Sequence, residues 1–509
     1  MISRLKNEPI PRKMLQMITI LTILWAGFGL RVFQLGDDSF WNDEAGQALA
    51  AIQPSLEQLF AVEKTHAMAM PLDYLVSRIF SHIGLAETIM RFPSVFWGTL
   101  TLAICFVLIR RIAQVKIALL ATFLLSISAF HVHFSQEMRF YSALVFFYAL
   151  STYLLLRAIA KHSLSWWATF TLFCVIGTYF HPYVSLSVVN GFFYLIFWRS
   201  GNRELSRFLV LIVSALLIAA FFLPGYIFFG SHQQFNYSLS QWSTSIIEDI
   251  ALGIGWMPMS YSPKVGSLRP LGILTIAFTL IGLTFAIVQR DGRMLSLLIS
   301  FVIQIGLVLL ADWIKGYSFT ARQLIHLHPV ALVFTGTGVV ISSKLTARFI
   351  VGLQNRLEKS FSGERKALPL VIICVFASVL GLFNSFVLGE YYVWPKSTAK
   401  TISIKLAQDY RSESTILVVP GYEAKVYRFY FQALGFGSDL SEALYPTDWK
   451  NLETTAAQIE ANAYLVTPAL LTKEQSTELQ RLGFVKLLGS DIEWHGAQIL
   501  FVRLETSTL

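Results

Sequence analysis

Charge is scarce in this chain. Asp, Glu, Lys and Arg make up 14% of its 509 residues, against about 25% in a soluble globular protein, and 55% of the residues are hydrophobic. Such a composition cannot cover a water-facing surface. It excludes an ordinary soluble enzyme and indicates a polytopic membrane protein. Cysteine is scarcer still: Cys105, Cys174 and Cys374 all sit inside apolar runs. That excludes a disulfide framework and a cysteine metal site, and leaves three small core hydrophobes. No glycine-rich phosphate loop of the P-loop or dinucleotide type is present, so nothing signals a nucleotide-activated substrate. No small-residue cleavage site follows the first apolar run, which therefore reads as a retained first helix. Internal repeats and low-complexity segments are also lacking.

Apolar runs of spanning length are what the chain has in quantity. They fall at about 14–34, 91–109, 117–132, 140–156, 164–180, 183–198, 208–229, 270–288, 294–311, 324–343 and 368–388, about eleven spans in all. The cations are sorted between the connecting segments. With the N-terminus in the cytoplasm, the inside segments carry groups such as Arg4, Lys6, Arg12 and Lys13, then Arg110, Arg111 and Lys116, and later Lys344, Arg348 and Arg356. The outside loops carry few, among them Lys64, Arg78, Lys264, Lys315 and Arg322. The positive-inside rule supports this orientation. It also accounts for the net charge of +9 as cytoplasmic anchoring, so no nucleic-acid partner is expected.

Three outside regions are large: about 35–90, about 230–269, and the tail from 389. Within the first, "MPLDYLVSRIFSHIG" (70–84) is apolar but short and reads as an interfacial or re-entrant helix. In the tail, 414–420, 463–467 and 496–504 read as strands, and 422–435 and 472–483 as helices ended by glycine. The expected organisation is a mainly α, polytopic helical membrane domain over 1–388. A small extracytoplasmic α/β domain over 389–509 follows it.

Polar residues able to carry chemistry cluster at the outer ends of the spans. "DDSFWNDEAG" (37–46) packs Asp37, Asp38, Asp43 and Glu44 together. Asp37 and Asp38 read as solvated linker, while "NDEAGQALAAI" reads as a helix start with Asn42 or Asp43 capping. Asp43 and Glu44 would point about 100° apart on a helix; capping and solvation is the bland reading of both. In "HVHFSQEMRFY" (131–141), Glu137, Arg139 and Tyr141 stand where a Glu–Arg pair is costly unless it lines a polar cavity. An interfacial ion pair beside an aromatic belt is the alternative. His131 and His133 have strand-like metal spacing but fall at a helix end. "VEKTHAM" holds Lys64 and His66, where a lysine meets a lipid phosphate or only snorkels. His181 and Pro182 form a turn. Arg322 in "GYSFTARQLIHLHP" reads as a phosphate contact or an interfacial anchor, with Asp312 as a potential partner. An outer-face enzyme without nucleotide donors needs a donor delivered in the membrane, and a lipid-linked donor is the natural choice.

The order of these segments resembles a known family. A basic N-terminus and first span lead into an outer loop that opens with an Asp-Glu pair. "PLDYL", "ETIMRFPSVFWGTLTLAICFVLIRRI" (87–112) and "FSQEMRFYSALVFFYALSTYLLLRA" (134–158) follow. Together they look like the integral-membrane glycosyltransferases of the GT-C fold. The resemblance is to the protein O-mannosyltransferases (glycosyltransferase family 39) and the bacterial lipid A aminoarabinose and galacturonic acid transferases, strongest over about 35–200. "ARQLIHLHP" is similar to the family's Arg-Tyr-led segment, with Gln323 in place of the tyrosine, and Met70 stands where a first proline is common.

The resemblance implies inverting transfer of a sugar from a polyprenyl-phosphate donor to an envelope acceptor, whether lipid, polysaccharide or protein. Transfer takes place on the outer face of the cytoplasmic membrane. Asp43 would be the general base, with Glu44 supporting it or reaching a divalent metal, whose requirement is left open. Lys64, Arg139 and Arg322 become candidates for the donor phosphate, and His66, Glu137, Tyr141 and His181 for the surrounding site. A transporter, flippase or ligase of lipid-linked glycans is the alternative.

Overall fold

A computed structural model describes residues 12–63, 70–197, 204–230, 245–255, 257, 272–316, 319–356, 367–393, 397–411, 414–436, 438–459, 462–468, 471–488 and 498–503. Each of the eleven apolar runs forms helix. Among the described residues eight helices are long and apolar enough to cross a membrane, from Lys13–Val32 to Leu368–Val393. A ninth arises if Val115–Ser126 and Ala129–Ser135, bent by 61°, form one span; Leu164–Thr178 and Pro182–Phe197 are shorter. Leu205, Leu216 and Phe221 are 74%, 64% and 58% exposed. Apolar faces this bare require lipid rather than water, and the chain is a multi-span membrane protein.

The chain divides into two compact units. The first comprises Met1–Phe33, Ala67–Asp73 and Ser94–Tyr392. Its central helix is Ala321–Leu353, 89% buried over its most apolar window, against 22% for Lys13–Val32. Small residues let helices meet backbone to backbone. A Cβ at Gly282 would lie 2.0 Å from the Phe334 carbonyl oxygen, and one at Gly338 would lie 1.8 Å from that of Phe278. Thr279 and Thr335 share a 2.8 Å hydrogen bond across the same seam. This is the packing used where no hydrophobic force separates helix from lipid. Elsewhere in the unit, Asn190 joins three helices through Tyr148 (2.9 Å), Thr152 (3.0 Å), Ser300 (2.5 Å) and Gln304 (3.0 Å).

The second unit comprises Gln34–His66, Tyr74–Pro93 and Val393–Leu509. Among its described residues the strands are β1 (Thr415–Val418), β2 (Leu444–Pro446), β3 (Ala463–Pro468), β4 (Val485–Leu488) and β5 (Gln498–Arg503). They form a sheet in the order β2-β1-β3-β5-β4. β1 pairs in parallel with β2 and β3, and β5 antiparallel with β3 and β4. The parallel centre is buried on both faces, which is why β1 and β3 read as continuous apolar runs. Leu417, Val419 and Leu465 pack against Leu452, Ala456 and Leu479. Helix Ala424–Ala433 ends before Gly435 (φ +72) and helix Lys473–Arg481 before Gly483 (φ +79), left-handed positions that favour glycine. The expected strands and helices of the tail are therefore present. β2, β4 and the helix Ala399–Asp409 are additions. The segment at 70–84, expected to be an interfacial or re-entrant helix, contains the helix Pro71–Ser81.

Candidate functional site

Two polar clusters, one in each unit, hold those predicted residues that the structure describes. In the second unit, helix Asn42–Ala51 begins where the sequence placed it, but neither Asn42 nor Asp43 caps it. Trp41 occupies the cap, and Glu44 accepts its backbone N–H at 3.4 Å. A Glu at the third helical position takes the returning half of a capping box, which leaves Asp43 on the second position. The two acids then have different fates. Glu44 is 0% exposed and forms a bidentate pair with Arg91, Nε to Oε1 at 2.8 Å and Nη2 to Oε2 at 2.6 Å. Asp43 is only half-buried.

Arg91 also donates from Nη1 to the carbonyls of Leu35 (3.2 Å) and Asp38 (2.8 Å), and from Nη2 to that of Ser39 (3.1 Å). A single planar fork thus gathers the loop that leads into the Asp43 helix. One turn earlier on the same helix, Glu87 accepts from Tyr430 Oη and from Lys400 Nζ, both at 2.9 Å. The Tyr430 hydroxyl in turn accepts the Phe40 N–H at 2.7 Å. Burial, reinforced by the Glu87 charge, raises the Tyr430 phenol far above its ordinary value, so it remains a protonated donor. Burial pushes Glu423 up as well, Lys425 opposes this, and the charge of Asp43 adds to it. Asp37 is exposed, as expected of a linker. Asp38 is not: it is half-buried, and its Oδ1 accepts the Ser397 N–H at 2.6 Å. The expectation of a solvated Asp38 fails because the tail supplies a backbone donor to it.

In the first unit, Glu137, Arg139 and Tyr141 lie between the short helix Ala129–Ser135 and the span Tyr141–Lys161, all three buried. The Arg139 N–H bonds the Glu137 carbonyl at 2.8 Å, and its guanidinium lies 5.0 Å from the Phe140 ring centre. Glu137 Oε1 stands 4.0 Å from His133 Nε2. His131 instead meets Arg31, Nδ1 to Nη2 at 2.8 Å, so the two histidines part company on a helical turn. His181 caps the short helix Pro182–Leu186 by accepting the Tyr183 N–H at 3.2 Å, and its ring packs 4.7 Å from those of Phe140 and Tyr183. Arg322 lies 5.8 Å from the Tyr141 ring centre. The structure therefore brings Arg139, Tyr141, His181 and Arg322 to one chain of aromatic contacts.

Asp312 does not pair with Arg322. It accepts from Tyr183 Oη at 3.2 Å, while the side chain of Gln323 turns back on its own segment, its Oε1 taking the Thr320 N–H at 2.9 Å. Gln323, which stands where the resembling sequences carry a tyrosine, thus acts as a local cap. Lys64 and His66 lie outside the described residues. Among the described residues no three of His, Cys, Asp and Glu gather as metal ligands. Sequence reasoning assigned no role to Glu87, Arg91, Lys400 or Tyr430. The four-residue spacing of Glu87 and Arg91 on a helix was the one available signal.

Comparison with known proteins bears on the fold. Residues 68–228 match the family model described as dolichyl-phosphate-mannose-protein mannosyltransferase. No curated protein matches by sequence. The crystal structure of ArnT from Cupriavidus metallidurans in the apo state superimposes with a TM-score of 0.57 at 14% identity, over 95% of this chain and 97% of that one. The same protein bound to undecaprenyl phosphate gives 0.55 at 12% identity, over 96% and 98%. The apo oligosaccharyltransferase from Archaeoglobus fulgidus gives 0.54 at 12% identity, over 90% of this chain and 70% of that one. The chain therefore has the fold of the GT-C integral-membrane glycosyltransferases, with a protein mannosyltransferase-type segment at residues 68–228.

Proposed function

We propose that this protein transfers a sugar from a polyprenyl-phosphate donor to a hydroxyl of an envelope acceptor, at the outer face of the cytoplasmic membrane. Asp43 removes the acceptor proton. The acceptor oxygen attacks the anomeric carbon, the bond from that carbon to the lipid phosphate breaks, and the configuration inverts. The phosphate is a good leaving group, so it needs cations rather than an acid. We assign Arg139 and Arg322 to it, with Lys64 and His66 from the first loop, and Glu137, Tyr141 and His181 to supporting roles in donor binding. Residues 1–388 form the transferase domain and 389–509 an extracytoplasmic α/β domain, with the N-terminus cytoplasmic.

The contrast between the adjacent acids carries this reading. Glu44 is sealed and neutralised by Arg91, whereas Asp43 stays half-buried beside it. One acid is buried in the loop, and the other keeps part of its surface exposed. The family match is to a transferase, and ArnT, which shares the fold, is known bound to undecaprenyl phosphate. Nothing among the described residues favours the transport alternative.

The test pairs two variants in cells lacking the native protein, with envelope glycans and glycoproteins measured by mass spectrometry. Asp43→Asn should lower transfer about 10²–10⁴-fold, the contribution of a general base, while binding undecaprenyl phosphate normally. Arg322→Ala should weaken undecaprenyl phosphate binding by the purified protein. Full transfer by Asp43→Asn would sink the assignment of the base.

A further inference from the structure

The chemistry assigned to Asp43 needs one carboxylate held in one place. Yet residues 33–41, which deliver its helix, form only turns, bends and extended chain. Their order must come from outside the segment. Arg91 supplies part of it through Glu44 and three carbonyls. The other part comes from the tail. Phe40 is fully buried, and its N–H would be an unsatisfied donor without the Tyr430 hydroxyl at 2.7 Å. That hydroxyl spends its own proton on Glu87 Oε1 at 2.9 Å, while Lys400 holds the other oxygen of Glu87 at 2.9 Å.

The Tyr430 ring lies nearly parallel to that of Phe40, 6.4 Å between centres and 22° between planes, and Phe429 packs against Phe40 at 5.2 Å. Glu423, two helical turns before Tyr430 and so on the same face, stands close enough to Asp43 to feel its charge. One helix of the tail therefore lies along the Asp43 segment from Glu423 to Tyr430.

We infer that Tyr430 is a positioning residue for Asp43. By satisfying the Phe40 amide and anchoring it to Glu87, it holds the loop that sets where the Asp43 carboxylate stands. The α/β tail is then a working part of the transfer site rather than an accessory. This rests on the proposed role of Asp43, through which Tyr430 acts.

Tyr430→Phe keeps the ring and removes the hydroxyl. It should lower transfer per mole of protein about tenfold or more, the loss of hydrogen bonds that include a charged partner. Undecaprenyl phosphate affinity should stay unchanged, and the purified protein should remain folded with a modestly lowered unfolding midpoint, since the Phe40 amide loses its acceptor. Positioning is read by non-additivity: Asp43→Glu already displaces the carboxylate, so adding Tyr430→Phe to it should cost little more. Lys400→Met, at a half-exposed position, should show the same pattern with a smaller loss and guards against misfolding of the first variant. Wild-type transfer by Tyr430→Phe would overturn the inference. So would an undiminished penalty in the Asp43→Glu background, or a loss that follows undecaprenyl phosphate binding. Full transfer by Asp43→Asn would instead overturn the role of Asp43, so the two failures are distinct.

Discussion

The pair of Glu44 and Arg91 offers the sharpest energetic test. Both are buried, 0% and 4% exposed, and Arg91 makes five hydrogen bonds at 2.6–3.2 Å. Arg91→Leu would leave the buried Glu44 without its Arg91 fork, and breaking a buried pair in this way costs about 3–5 kcal/mol. At about 2–4 °C per kcal/mol for a unit of this size, the unfolding midpoint in detergent should fall by roughly 6–20 °C. Arg91→Lys should recover only part, because an ammonium cannot match the two carboxylate oxygens with a fork. The informative variant is Arg91→Leu with Glu44→Leu. It removes both charges, so it should be clearly more stable than Arg91→Leu alone, although the carbonyls of Leu35, Asp38 and Ser39 still lose their donor. If the costs of the two single variants add within about 0.5 kcal/mol in the double variant, the residues are not energetically coupled. Arg91 would then not be the organiser of this loop.

Two further outcomes follow from the same geometry. Glu423 has its carboxyl raised by burial, with the Asp43 charge adding to the effect. The folded state thus holds its proton more tightly than the unfolded chain, and the resulting stability is lost as pH rises from about 4.5 through the raised value. Glu423→Gln should flatten that part of the midpoint-against-pH curve and be the more stable protein above it; an unchanged slope would contradict the burial of this group. Gly338→Ala would drive a methyl to 1.8 Å from the Phe278 carbonyl oxygen, so the helices Gly272–Gln289 and His328–Arg356 must separate. A sharp loss of folded, monodisperse protein on size exclusion is expected, and normal yield would show that the seam is looser than drawn.

Much of the architecture was legible in the sequence. Every apolar run became helix because a spanning segment must satisfy its backbone internally, and that demand is written locally as length and hydropathy. β1 and β3 were legible as buried strands for the same kind of reason. β2 was not: three residues ending at Pro446, with Tyr445 exposed, carry no periodic signal. The Asp43 helix was found at its start, but its cap was misassigned, because the choice between Asn42, Asp43 and Glu44 depends on where each side chain is drawn by its neighbours. Asp38 looks solvent-facing in the sequence because its partner, Ser397, lies in the tail.

The sequence by itself determined the helices, the α/β character of the tail and the presence of two adjacent acids at a helix start. Only the tertiary structure decided which acid is committed and which remains half-buried. Glu44 meets Arg91 from 47 positions away, and Glu87 meets Tyr430 across 343. Local patterning reports how a segment pairs its own backbone and which face it buries. A buried charge finds its partner through packing, and nothing in the residues near Glu44 or Glu87 specifies a guanidinium or a phenol so far along the chain.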